Sequence, residues 1–187
     1  MAEEKKRRGR RDHLNDFYRD VSGNYVYTGV CYEHTGGVCA NTALLRRLRL
    51  MAAVMAAAVL AGGCISAPGV GRCFYVLLPY AAQIGVTGSI VWAVARWQVR
   101  EYPLREYIYR ATVQALPGRC LAQAVLAGVG LAAETLYLLL SGSDGRGAAA
   151  AIYLVLQACV LVLALLTRRA VLASDWQPEG CGGLTTE

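Results

Sequence analysis

Between Leu48 and Thr167 the chain falls into four long apolar runs, roughly 48–67, 74–95, 120–141 and 148–167, with polar residues gathered in the gaps rather than alternating inside the runs. A helix needs about 20 mostly apolar residues to cross a hydrocarbon core of ~30 Å. Only helices and closed barrels satisfy their backbone hydrogen bonds in lipid. Continuous runs of this length select helices, because a barrel strand alternates with a period of two. A soluble bundle would give each helix a charged face, and these runs have none. The first run begins near residue 48, too far along the chain for a cleaved signal peptide, and is expected to be a retained span.

The gaps then set the organisation. Residues 1–47 form an N-terminal segment, 48–168 a four-helix membrane domain, and 169–187 a tail. In the middle gap, Leu104, Tyr107, Ile108, Ala111 and Ala115 recur at helical spacing after Pro103, and Pro117-Gly118 closes the pattern. Proline suits the first position of a helix, and Glu106 and Arg110 are placed to pair at i, i+4. This predicts an amphipathic helix over 103–116, lying on the inner membrane surface.

In the N-terminal segment, Tyr25-Val-Tyr-Thr and Val30-Cys-Tyr-Glu-His are β-prone pieces around Gly29, flanked by Ser22-Gly23 and Gly36-Gly37. They read either as a short β-hairpin or as an aromatic segment lying among headgroups, where tyrosine is favoured. The fold class expected is therefore all-α: a four-transmembrane-helix bundle with a cytoplasmic amphipathic helix between helices 2 and 3 and a short N-terminal element. The Gly-rich tail is expected to lack order, with Trp176 touching the membrane surface.

Composition agrees with the pattern. The 187 residues are 56% hydrophobic and 17% charged, with a net charge of +6; soluble domains carry about a quarter charged residues. The cations are partitioned. Of 19 Lys/Arg, 17 fall in residues 1–50, the middle gap (Arg96, Arg100, Arg105, Arg110, Arg119) and just after the last run (Arg168, Arg169), while the other two gaps hold only Arg72 and Arg146. The positive-inside rule puts both termini in the cytoplasm of a multi-pass cell-membrane protein. The basic run "MAEEKKRRGRRD" is suited to anionic lipid headgroups, and no recognition motif accompanies it that would indicate nucleic acid. Abundant Ala, Gly and Arg fit a GC-rich, bacterial genome.

Seven cysteines are present. Cys64 and Cys73 bracket the first outer connection and are a candidate disulfide; the others are expected to be reduced. Cys31, His34 and Cys39 cluster, but structural zinc takes four ligands, so no metal site is assigned.

The chemistry worth pursuing lies inside the membrane. At about 1.5 Å per residue, Glu134 in the third run lies roughly 9 Å below its outer end, while Gln83 and Gln157 lie roughly 13 Å down the second and fourth. Gln123, Ala127, Gly130, Glu134 and Tyr137 form one stripe of small and polar residues, which should face the other helices. Ala53, Ala57 and Ala61 in the first run look like a matching close-packing surface. The candidate site is thus an intramembrane polar cluster of Glu134, Gln83, Gln157 and Gln123.

An ionisable group in a span marks an ion or substrate path by default; the competing role is to tie helices together. No nucleotide-binding loop, paired-histidine motif or nucleophile–base spacing is present, so no catalytic residue or cofactor is assigned and no enzyme is expected. The sequence points first to an accessory, scaffold or assembly subunit, a homo-oligomer or part of a membrane complex. The alternative is a small proton- or cation-coupled transporter or channel built on Glu134.

Overall fold

The structure, a computed structural model, describes residues 17–19, 25–27, 29–65, 67–97, 103–141 and 145–180. It is mostly helical. Four long helices, α1 (Gly37–Cys64), α2 (Phe74–Trp97), α4 (Leu116–Ser141) and α5 (Gly147–Leu172), pack side by side, each against two neighbours in the cyclic order α1, α2, α4, α5. Short connections make successive helices antiparallel, and α1 closes the ring against α5. A short helix, α3 (Glu106–Tyr109), precedes α4.

Three helical stretches are long and apolar enough to cross a membrane: Phe74–Trp97, Glu106–Ser141 and Gly147–Leu172. The fourth long helix, α1, begins at Gly37, well before the expected start of the first span, and carries Arg46, Arg47 and Arg49 in its first half. Pro79 lies in the second turn of α2 and removes one ladder hydrogen bond, a loss that neighbouring helices make tolerable in lipid.

The exterior is apolar. Phe74 is 84% exposed, Leu139 78% and Leu78 70%, and large exposed hydrophobics occur on all four long helices. A water-soluble bundle would leave contiguous greasy surface of this kind unprotected; lipid is the solvent that fits it. Inside, the inward faces are regular. On α4 the buried positions include Gln123, Ala127, Gly130, Glu134 and Tyr137, the stripe read from the sequence. On α1 the expectation fails. Ala53, Ala57 and Ala61 all face outward, and the packed face is Leu48, Ala52, Met55, Val59 and Gly62. Leu48, Met55 and Val59 on that face fill the space between the helices.

The middle segment also departs from expectation. Leu104 and Arg105 form a two-residue strand, β4, followed by α3, a π-helical turn (Arg110–Gln114) and then α4 with Pro117 in its first turn. There is no separate surface helix over 103–116. Its apolar side chains Leu104, Ile108, Val113 and Leu116 are buried in the protein core, which removes them from lipid. The Glu106–Arg110 ion pair does form.

The N-terminal segment and the tail meet here. Strand β3 (Val30–His34) is the centre of a three-stranded antiparallel sheet, between β4 and β5 (Trp176–Gly180). Tyr32 pairs with Leu104 on one side and Pro178 on the other, and His34 pairs with Trp176. Proline is tolerated because β5 is an edge strand. Thr35 reinforces the join, donating its N–H and its hydroxyl to the Asp175 carbonyl, each at 3.1 Å.

The expected hairpin pairing is therefore replaced. β2 (Tyr25–Tyr27) pairs instead with β1 (Phe17–Arg19), and the tail supplies a strand rather than lacking order. Trp176 is the hub of an aromatic cluster with centroid distances of 5.3 Å to His34, 5.6 Å to Trp97 and 5.7 Å to Tyr109, and Tyr109 stacks on Tyr32 at 4.1 Å. The basic run of residues 1–12 and Cys181 lie outside the described residues.

Candidate functional site

The polar candidates are all buried: Gln83, Gln123 and Glu134 have no exposed surface, and Gln157 almost none. Among the described residues the structure divides them. Gln83 on α2 and Gln157 on α5 meet across the diagonal of the bundle. The Gln83 Nε2 donates to Gln157 Oε1 at 2.9 Å, and Gln157 Nε2 returns a bond to Gln83 Oε1 at 3.1 Å. The reciprocal geometry satisfies a donor and an acceptor on each amide, the condition for keeping such groups away from water. Gln157 Nε2 also donates to Tyr153 Oη at 2.8 Å, one turn earlier on the same helix.

Tyr80, three residues before Gln83, donates its hydroxyl to the Val59 carbonyl of α1 at 2.8 Å. Its ring lies 6.3 Å from that of Tyr153. The tyrosine hydroxyl overlies Gly63, where a side chain would collide with it. Tyr80 and Tyr153 were not singled out from the sequence, although their i−3 and i−4 spacing from the two glutamines places them on the same helix faces. The gap between Tyr80, Tyr153, Gln157 and the α1 residues Ala58, Val59 and Gly62 is too small to admit a water molecule.

Glu134 does not join the glutamines. It points to the end of the bundle where α1 connects to α2, and there the connection turns into the bundle and buries Ala67, Pro68 and Gly69. The Gly69 N–H donates to Glu134 Oε1 at 3.3 Å. A side chain at Gly69 would strike Glu134 Oε2 and crowd Val76. The carboxylate and the connection thus fit only because residue 69 is glycine. Glu134 Oε2 has no hydrogen-bond partner among the described residues. Gln123 stands apart, three turns from Glu134 toward the start of α4, and among the described residues both heads of its amide are unpartnered, as is the hydroxyl of Thr87.

Cys64 and Cys73 carry free thiols, exposed and half-buried respectively, rather than the bonded pair expected from the loop. Conversely Cys31, 1% exposed in the central strand of the sheet, is disulfide-bonded, where a reduced thiol was expected. Among the described residues no group of three or more His, Cys, Asp or Glu could hold a metal ion. No family model matches this sequence, and comparison with curated proteins and with solved structures returned no match.

Proposed function

We propose that this is a non-enzymatic multi-pass membrane protein, an accessory, scaffold or assembly subunit in which α1 is a fourth span and both termini lie on the cytoplasmic, cation-rich side. Its work is done by shape: a fixed helix bundle inside the bilayer and a sheet-and-aromatic cap that joins the two ends of the chain beneath it. Partners would be a second copy or other membrane proteins, with anionic headgroups drawn to the basic N-terminus.

The observation that carries the reading is how Glu134 is used. Its carboxylate accepts the backbone N–H of Gly69 under a buried stretch of the outer connection, which is a fastening. The neighbouring Gln83–Gln157–Tyr153 bonds occupy their own donors and acceptors, with no space for water between the tyrosines. A conduction path needs hydrated room that can exchange.

A second reading keeps one specific point in its favour. Glu134 Oε2 is fully buried without a partner, and an intramembrane carboxylate of that kind fits a small proton- or cation-coupled transporter. Purified protein in liposomes separates the two. The scaffold reading expects proton and monovalent-cation flux equal to that of empty liposomes, and the same for Glu134→Gln. Flux above background in the native chain that Glu134→Gln abolishes, with the variant still folded by size exclusion, would replace it with the transporter. Identifying what co-purifies in mild detergent then names the partner.

A further inference from the structure

We infer that the inner end of the α1–α2 surface is a binding site for an anionic phospholipid, its headgroup held by Arg46 and Arg49 and one acyl chain lying in the cleft between the two helices. A cleft of about 230 Å³ runs there, walled by Ala52, Ala53 and Ala56 of α1 and Val91, Val94 and Ala95 of α2, with Arg49 at its mouth. The lining is apolar apart from that arginine, and the small alanines are what open it. Arg49 and Ala53 continue onto the outward face of α1, where Arg46 and Arg47 stand one turn earlier.

Arg46, Arg47 and Arg49 are exposed and have no ion-pair or hydrogen-bond partner among the described residues. Arg96, also exposed, follows Ala95 in the last turn of α2. Arg49 thus lines an open apolar cleft at one end of the bundle, with Arg46 and Arg47 on the adjoining face of α1 and Arg96 next in sequence to the lining residue Ala95. That end carries the other helix-terminal arginines, Arg119 at the start of α4 and Arg169 in the last turn of α5. Guanidinium groups bind phosphate oxygens in a bidentate fork, and an apolar cleft opening to the hydrocarbon takes an alkyl chain. Charge and shape together fit a lipid carrying a net negative phosphate; a zwitterionic lipid places its own cation against the arginines.

The inference rests on α1 lying in the bilayer beside α2, and the two fail separately, because thiol labelling of the two ends of α1 reports that placement without any lipid measurement. The test is native mass spectrometry of the full-length protein in a mild non-ionic detergent, titrated with phosphatidylglycerol or phosphatidylcholine. Each arginine near an anionic surface changes affinity about fivefold.

The expected result is selective retention of phosphatidylglycerol. Arg46→Gln/Arg49→Gln should weaken it by roughly tenfold or more. Ala53→Phe, at an exposed position, should fill the cleft and weaken binding with every arginine in place. Arg169→Gln, an exposed arginine at the same end on α5, should change little. Equal retention of phosphatidylcholine, native-like binding by the double variant, native-like binding by Ala53→Phe, or an equal loss in Arg169→Gln would each overturn the site, the last by reducing it to generic surface charge.

Discussion

Gly69 and Glu134 make the tightest glycine contact among the described residues, since a Cβ at residue 69 would overlap the carboxylate and crowd Val76. Gly69→Ala should therefore destabilise by about 1–3 kcal/mol, the usual range for forcing an extra carbon into a packed site. The same substitution in a Glu134→Ala background should cost much less, and thermal unfolding of the four proteins in detergent reads the difference as a coupling energy. Additive losses would mean that the carboxylate is not what the side chain strikes. The diagonal amide pair behaves differently. Replacing Gln83 alone by Leu strands the Gln157 Oε1, whose amide nitrogen still donates to Tyr153, costing about 1–3 kcal/mol, while Gln83→Leu/Gln157→Leu/Tyr153→Phe should recover most of that, because the intact interhelical bond itself contributes only about 0.6 kcal/mol on average. Unfolding curves in which the triple variant is no better than the single would contradict it. These residues could be located in the sequence because a polar side chain in an apolar run has few faces it can occupy. What the sequence did not disclose was which polar group each would meet. The partner of Glu134 is a backbone N–H 65 residues away, and a backbone donor leaves no mark in composition or spacing.

At the scale of elements, the three-stranded sheet depends on Trp176, whose ring touches His34, Trp97 and Tyr109 at once. Trp176→Ala should cost about 1–3 kcal/mol from the aromatic contacts and free β5. Hydrogen exchange would register this as lost protection at Trp176–Gly180 with the long helices unchanged. The sheet also responds to pH. Partial burial, then the hydrogen bond and charge of Glu179 on the paired strand, raise the Glu33 carboxyl above the ordinary glutamate value of 4.5. A raised carboxyl favours the folded state while protonated. Its contribution is complete below 4.5 and is lost as pH rises through the raised value. Acidification should thus tighten β5 on β3, and Glu33→Gln should remove that pH dependence and steady the tail at neutral pH by a few tenths of a kcal/mol; exchange protection of β5 that ignores both pH and the variant would count against the pairing. Of this sheet only β3 was readable in advance, as the β-prone piece Val30–His34; its pairing partners were not, for a physical reason. Its central strand pairs with segments more than 70 and more than 140 positions along the chain, whereas the glycine turns near Tyr25–His34 advertise only local pairing. The long helices were readable because their signal is local and repeated every turn. Where that signal had no polar marker, as on α1, the inward face was assigned to Ala53, Ala57 and Ala61 and proved to be the opposite one.

For the whole molecule, the open question is which side the cap faces, and two general rules disagree. The arginine partition places the cap in the cytoplasm. The disulfide-bonded Cys31 in its central strand belongs, by the usual habit of structural disulfides, to an oxidising compartment. Charge should prevail, because loop cations act while the helices are being inserted and oxidation can only follow. The chain carries its own probes. Cys39 and Cys64 are both free and exposed, and they stand at opposite ends of α1, 25 residues and therefore roughly 37 Å apart along the axis, more than a hydrocarbon core of ~30 Å. In intact cells expressing variants that keep one or the other with the remaining free cysteines changed to serine, a membrane-impermeant maleimide should label Cys64 and leave Cys39 untouched until the membrane is permeabilised. The reverse pattern would put the cap outside and make the Cys31 bond the better guide. Labelling of both from one side would remove α1 from the bilayer, leaving three crossings and separating the two ends of the chain across the membrane, which the shared sheet of β3 and β5 forbids. That conflict is why the fourth span is expected: with β3 and β5 in one sheet, the number of crossings between them has to be even.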